Sequence, residues 1–340
     1  MPTSAFPGPD SARSGATDAD ADTGATSAAR SGTTAPRRLR PGDRVAVVAP
    51  SGPLVPEYLD KGVAVLRSWG LEVEVAPHAR DRHPTFDYLA GADADRAGDL
   101  TGAWCDPDVA AIFCARGGYG GLRILDLLDW DAIAAAPPKV FTGSSDITAL
   151  HQVIGSRLGT PTVFGAMVGS ASFVDDPAAQ ENLRRLLFEP DAGLVLSGPL
   201  AQTMVPGRAR GRTVGGNLSL VVSGRGVPDV APPPPGSIVL LEDVTEEPYR
   251  IDHFVTHLLR AGYFEGVAGI ALGSWVECGD LATVRALLAD RLGGLGVPII
   301  WELGFGHCPA QLAVPLGAQV ELVADPEAGA AQLVLTETIG

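Results

Sequence analysis

The segment Gly143-Ser144-Ser145-Asp146 follows a short apolar run and opens a helix-like one. A serine at that junction stands at the carboxyl end of a strand, where open α/β sheets place their sites. The helix N-terminus behind it favours developing negative charge. This is the logic of a nucleophile elbow, although the letters GSSD do not match GxSxG. Ser and Asp before a helix are also ordinary N-caps, and the segment alone reads at least as well that way. A second candidate is Ala115-Arg116-Gly117-Gly118-Tyr119-Gly120-Gly121, directly after another apolar run. Glycines let a backbone approach a ligand closely and turn N–H groups toward it. Such a loop could hold a phosphate or an oxyanion, or be a plain tight turn. It carries neither the GK[ST] of a P-loop nor GxGxxG.

Two further groups could complete a hydrolytic site. Glu242 and Asp243 close the apolar run 237–241, where carboxylates either serve a site or cap the next helix. His307 lies in Gly304-Phe305-Gly306-His307-Cys308-Pro309 and has the least helical context of the six histidines. His253 and His257 stand four apart on a helix-like run. The glutamate of HExxH is missing, so they read as helix surface rather than zinc ligands. His78, His83 and His151 receive no role. The cysteines 105, 114, 278 and 308 form no CxxC pair and are expected reduced and mostly buried. No metal or other cofactor is expected.

These residues need elements to hold them. Apolar runs predict strands at 44–50, 71–76, 109–115 and 139–142, alternating with helices at 55–69, 92–104, 122–128 and 147–158. That alternation argues for a parallel sheet. Later strands are expected at 237–241, 268–273, 297–301, 319–323 and 331–335, with helices at 177–187, 249–261 and 281–291. The predicted fold class is α/β with two domains. An N-terminal parallel sheet with flanking helices and a C-terminal mixed α/β domain enclose the site in the cleft between them. The expected boundaries are a disordered tail at 1–40, a nucleophile domain at 41–165, a connecting segment at 166–206 and a second domain at 207–340. Residues 1–40 lack the apolar surface to offset their conformational entropy.

Composition narrows the partners. The chain has 340 residues, 46% hydrophobic, with a formal net charge of −15. Its length suits two cores, and its acidity offers no basic face to nucleic acid. No run approaches the roughly 18 apolar residues of a membrane span, and the first 40 residues hold no signal-peptide core. The expectation is a cytoplasmic protein acting on a small molecule, with no nucleic-acid or membrane partner. Its assembly, a homodimer included, is left open.

Taken in order, the segments PGDRVAVVAPSGP, ARGGYGGLRILDLLD, KVFTGSSDITALH, GGNLSL, IVLLEDVTEEPYRID and GFGHCPAQLAVPLG resemble the LD-carboxypeptidase family of serine peptidases. The resemblance runs from Pro41 to about residue 335. It implies a Ser-Glu-His triad of Ser145, Glu242 and His307, split between two domains. It also implies an oxyanion hole from the backbone amides of Gly117 or Gly118 and of Asp146. Arg116, proposed for a free carboxylate, and Asn217 are the substrate-binding candidates. The implied activity is hydrolysis of the amide between an L-configured diamino acid and terminal D-alanine in muropeptides. The alternatives are an immunity-type hydrolase of a peptidyl–nucleotide antibiotic and a non-catalytic muropeptide-binding protein. Three positions depart from the family pattern. Ser144 replaces a frequent aromatic, His253 a common Arg, and Cys308 a small residue beside the histidine.

Overall fold

Strands covered on both faces need near-continuous apolar sequence, and RVAVV and VAAIFC supply it. The computed structural model describes residues 35–339. It forms strands β1 Arg44–Val48, β2 Glu72–Val75, β3 Val109–Cys114, β4 Val140–Gly143 and β5 Thr162–Phe164. These five pair in parallel in the order β2-β1-β3-β4-β5. Chain order reverses between β1 and β3, and open sheets of this kind bind ligands outside the strand ends at that point. The loops there carry Ser51-Gly52 and Gly117-Gly118.

The chain continues with β6 Val195–Leu196, β7 Gln202–Val205, β8 Gly207–Asn217, β9 Ile238–Val244, β10 Gly269–Val276 and β11 Ile299–Trp301. It ends with β12 Val314–Leu316, β13 Gln319–Asp325 and β14 Ala330–Leu335. The second sheet is mixed, in the order β6-β14-β13-β8-β9-β10-β11-β7. Side chains alternate across β9. Ile238 and Leu240 join the core shared with the first sheet, while Val239 and Leu241 pack beneath the helices Pro248–Arg260 and Leu281–Leu292. Among the described residues no helix is long and apolar enough to cross a membrane.

Three expectations need correction. The first sheet is not wholly parallel, because β12 returns from the far end of the chain and pairs antiparallel with β5. The segment 166–206 is more than a connection, since β6 pairs with β14 and β7 with β11 at the two edges of the second sheet. The expected tail also ends too late. Residues 1–34 lie outside the described residues, but Leu39 is only 1% exposed, and its N–H donates to Leu187 O at 2.9 Å. Arg37 pairs with Asp43 at 2.7 Å. Deleting residues 1–40 is therefore expected to cost about 2 kcal/mol more than deleting 1–34, the worth of one buried leucine. Denaturant midpoints of the two truncations measure it, and equal midpoints would deny Leu39 any role in packing.

Candidate active site

Ser145 has φ +58, a left-handed conformation that L-residues other than Asn and Asp seldom adopt. It begins a single 3-10 turn, Ser145–Ile147, between β4 and the helix Thr148–Leu158. Its side chain is half-buried. A Cβ on Gly117 would lie 2.9 Å from Ser145 Cβ and 3.2 Å from its Oγ, so only glycine lets the loop after β3 come this close. Gly52 N–H donates to Gly117 O at 2.9 Å. Among the described residues the N–H groups of Gly117 and Gly118 donate to no backbone acceptor. Gly117 thus stands against the serine, and the two amides are unspent donors in its loop.

The side chain of Asp146 ties this assembly together. Its Oδ2 accepts from Ser51 Oγ at 2.6 Å and from Gly121 N–H at 2.7 Å. One buried carboxyl thus joins the loops after β1, β3 and β4. Burial pushes this carboxyl above its ordinary value, against those hydrogen bonds and the nearby Arg96. Arg96 is buried too. Its guanidinium donates to Pro50 O and Gly120 O and pairs with Asp93. Asp146→Ala strands a hydroxyl and an amide, at about 1–3 kcal/mol each. A loss of about 2–4 kcal/mol in chemical unfolding is expected, and an unchanged midpoint would show that the loops hold without it.

Glu242 is fully buried near the end of β9. Its Oε2 meets His307 Nδ1 at 2.7 Å, and its Oε1 accepts from Asn217 Nδ2 at 3.1 Å. A carboxylate only accepts, so Nδ1 carries a proton, and in the neutral imidazole Nε2 is left with a lone pair. Gly306, with φ +109, makes the approach feasible, since a Cβ there would lie 2.5 Å from Glu242 Oε2 and 2.6 Å from Ser274 Oγ. The imidazole is pulled two ways. Desolvation is the largest influence and lowers its pKa, but the charge and hydrogen bond of Glu242, with Asp243 beyond, raise it above the ordinary value. Asp243, buried against Glu242, is pushed up to about 6. The two halves join through Asn217, whose N–H donates to Thr148 Oγ1 at 3.0 Å, three residues past Ser145. Among the described residues no hydrogen bond links Ser145 Oγ to His307.

Comparisons with known proteins place the chain in a family. Residues 45–165 match the model of the LD-carboxypeptidase N-terminal domain, and residues 210–322 that of the C-terminal domain. The chain belongs to the LD-carboxypeptidase family. It is 55% identical over 290 residues to SCO6489 of Streptomyces coelicolor, a carboxypeptidase by inference, covering 85% of this chain and 93% of that one. It is 30% identical over 283 residues to the murein tetrapeptide carboxypeptidase of Pseudomonas aeruginosa, covering 81% and 91%. An MccF-like protein from Bacillus anthracis str. Ames has a similar structure, with 25% identity, TM-score 0.80, and 89% and 99% coverage. The family and these relatives make the chain a peptidase of α/β fold.

In this LD-carboxypeptidase family member the remaining candidates divide. Asn217 is not free for substrate. Its Nδ2 serves Glu242 and Asp243, and its Oδ1 accepts from Ser219 Oγ and Leu220 N–H. It is a positioning residue. Arg116 is exposed at the mouth of the glycine loop and donates to Pro53 O. His151 is a core histidine, bonded to Gly143 O at 3.0 Å and pushed down to about 4 by burial. Cys114 and Cys278 are buried, while Cys105 and Cys308 are half-buried, all four with free thiols. Sequence reading assigned nothing to Arg96, Ser51 or the Asp146 carboxyl. An arginine in a run like DADRAGD carries no sign of burial.

Proposed function

We propose that this chain is a serine-type LD-carboxypeptidase that removes terminal D-alanine from murein tetrapeptides, in the cytoplasmic recycling of peptidoglycan. The observation that carries the reading is the 2.7 Å contact between Glu242 and His307 Nδ1, which leaves Nε2 as a base. Ser145 Oγ attacks the amide carbonyl carbon while His307 Nε2 takes its proton. The N–H groups of Gly117 or Gly118 and Asp146 receive the oxyanion. His307 then gives the proton to the departing amine of D-alanine, leaving an acyl ester on Ser145. Water, deprotonated by His307, attacks that ester and the proton returns to Ser145. Glu242 holds the imidazole and stabilises its charged form without itself taking the proton.

The likeness to the Pseudomonas aeruginosa relative, named for murein tetrapeptide, supports the substrate. Incubation with murein tetrapeptide should release D-alanine and leave a tripeptide. Cleavage of a peptidyl–nucleotide conjugate with no D-alanine release would move the chain to the immunity-type reading. Tight tetrapeptide binding without any cleavage would make it a sensor.

A further inference from the structure

A row of exposed aromatic rings starts at the glycine loop. Tyr119, flanked by Gly118 and Gly120, meets Tyr88 edge-on at 5.7 Å and 71°. Tyr88 stacks on Phe86 at 5.7 Å, and Phe86 on His83 at 4.7 Å. Tyr119 and Tyr88 are each 48% exposed and Phe86 is 38% exposed. Single exposed aromatics are ordinary, but a contiguous row beside a site marks a binding surface. The row is also preorganised. His83 Nδ1 accepts the N–H groups of Thr85 and Phe86 at 3.1 Å each, and Ala90 N–H donates to Ser51 O at 3.0 Å. A Cβ on Gly52 would lie 3.5 Å from Tyr88 O and 2.7 Å from Gly117 O, so the backbone of Tyr88 lies close to the loop that touches Ser145 and carries Tyr119.

We propose that Tyr88, Tyr119 and Phe86 form a subsite for a saccharide carried by the substrate's peptide, a reading that rests on the function proposed above. Reach is the first argument. In a tetrapeptide three residues precede the scissile amide, and an extended chain of that length spans roughly 10 Å. Tyr119 lies two residues beyond Gly117, which touches Ser145, so chain length alone keeps its backbone within roughly 7 Å of Gly117. Chemistry is the second. The Tyr88–Tyr119 corner offers an aromatic face to the C–H side of a sugar ring, with two phenol hydroxyls at its margin. Neither hydroxyl has a hydrogen-bond partner among the described residues, and the charge of Arg123 lies near both. The guanidiniums nearby are held in place: Arg123 by Asp93 at 2.6 Å, Arg80 by Asp60 at 2.5 Å, and Arg82 and Arg116 by backbone carbonyls, which leave the last two their charge.

The test compares kcat/KM for murein tetrapeptide with and without its N-acetylglucosaminyl-N-acetylmuramoyl group. The intact enzyme should prefer the glycosylated form by about tenfold, the worth of one stacking contact. Tyr88→Ala and Phe86→Ala should bring that ratio close to one, and Tyr88→Phe should keep most of it. A merely structural role would slow both substrates equally and leave the ratio unchanged. A ratio near one in the intact enzyme, or one that Tyr88→Ala leaves unmoved, overturns the subsite. So does a Tyr88-dependent preference for a peptidyl–nucleotide over the glycosylated peptide. If neither muropeptide is cleaved, the proposed function fails first. Calorimetry of the Ser145→Ala protein with the disaccharide then decides the subsite separately, by whether Tyr88-dependent binding is present or absent.

Discussion

Ser145→Ala is expected to lower kcat by about 10^4- to 10^6-fold, the scale of losing a triad nucleophile, while Ser144→Ala stays within about tenfold of the intact enzyme. The neighbouring serines differ in conformation. Ser145 sits at φ +58, half-buried against Gly117 of the glycine loop. Ser144 is extended and buried, and it contributes its carbonyl, which accepts from Ile147 N–H at 3.1 Å. Alanine also tolerates φ +58 poorly, so the Ser145 variant keeps the strain and loses only a hydroxyl. Its unfolding midpoint should shift by less than about 1 kcal/mol. Steady-state turnover on murein tetrapeptide, with unfolding curves for both variants, makes the comparison. A dead Ser144→Ala enzyme beside an active Ser145→Ala one would refute the assignment.

How far the sequence reaches depends on whether the physics is local. β1, β3 and β4 were legible because burial on both faces demands continuous apolar runs, as in VAAIFC, and the edge strand β2 by its alternation, whereas the three residues of β5 were too short to stand out. The glycine loop, the serine turn, Glu242 and His307 were legible as motifs. What escaped was decided by pairing at a distance. β8 reads GRARGRTVGGN, with no strand pattern, and exists because β13 and β9 flank it on either side. β12 is three residues containing a proline, and its place beside β5 follows from the return of the chain. Asn217 illustrates the consequence for function. Its motif pointed to the site, but its role depends on which partners saturate its amide, and those lie 25 and 26 residues onward. Leu39 escaped for the reverse reason, since a single apolar residue in a polar stretch carries no periodic signal.

The contact between Glu242 and His307 has a consequence in pH. Glu242→Gln keeps the shape and removes the charge, and kcat should fall by about 10^3- to 10^4-fold. Two effects produce the loss. A glutamine amide can present its NH2 to Nδ1, which turns the imidazole to the tautomer with its proton on Nε2, where a base needs a lone pair. The imidazolium formed during attack also loses its counter-charge. The sign of the accompanying pH shift follows from the causes. His307 must be neutral to act, so activity is lost as pH falls through its pKa. In the intact enzyme that pKa is raised, because the charge and hydrogen bond of Glu242, with Asp243, together outweigh desolvation, and the acid limb of kcat/KM should lie above the ordinary histidine value of about 6.5. Without Glu242's charge desolvation prevails, opposed only by Asp243, and the residual activity should persist to lower pH. Asp243 itself titrates near 6 and also loses the repulsion of Glu242, so the kinetic profile alone does not identify the group. Following the His307 ring resonances by NMR in both proteins does. A His307 pKa that stays put or rises in Glu242→Gln would mean that the carboxylate does not set the basicity of the imidazole, and the relay assigned to Glu242 would fall.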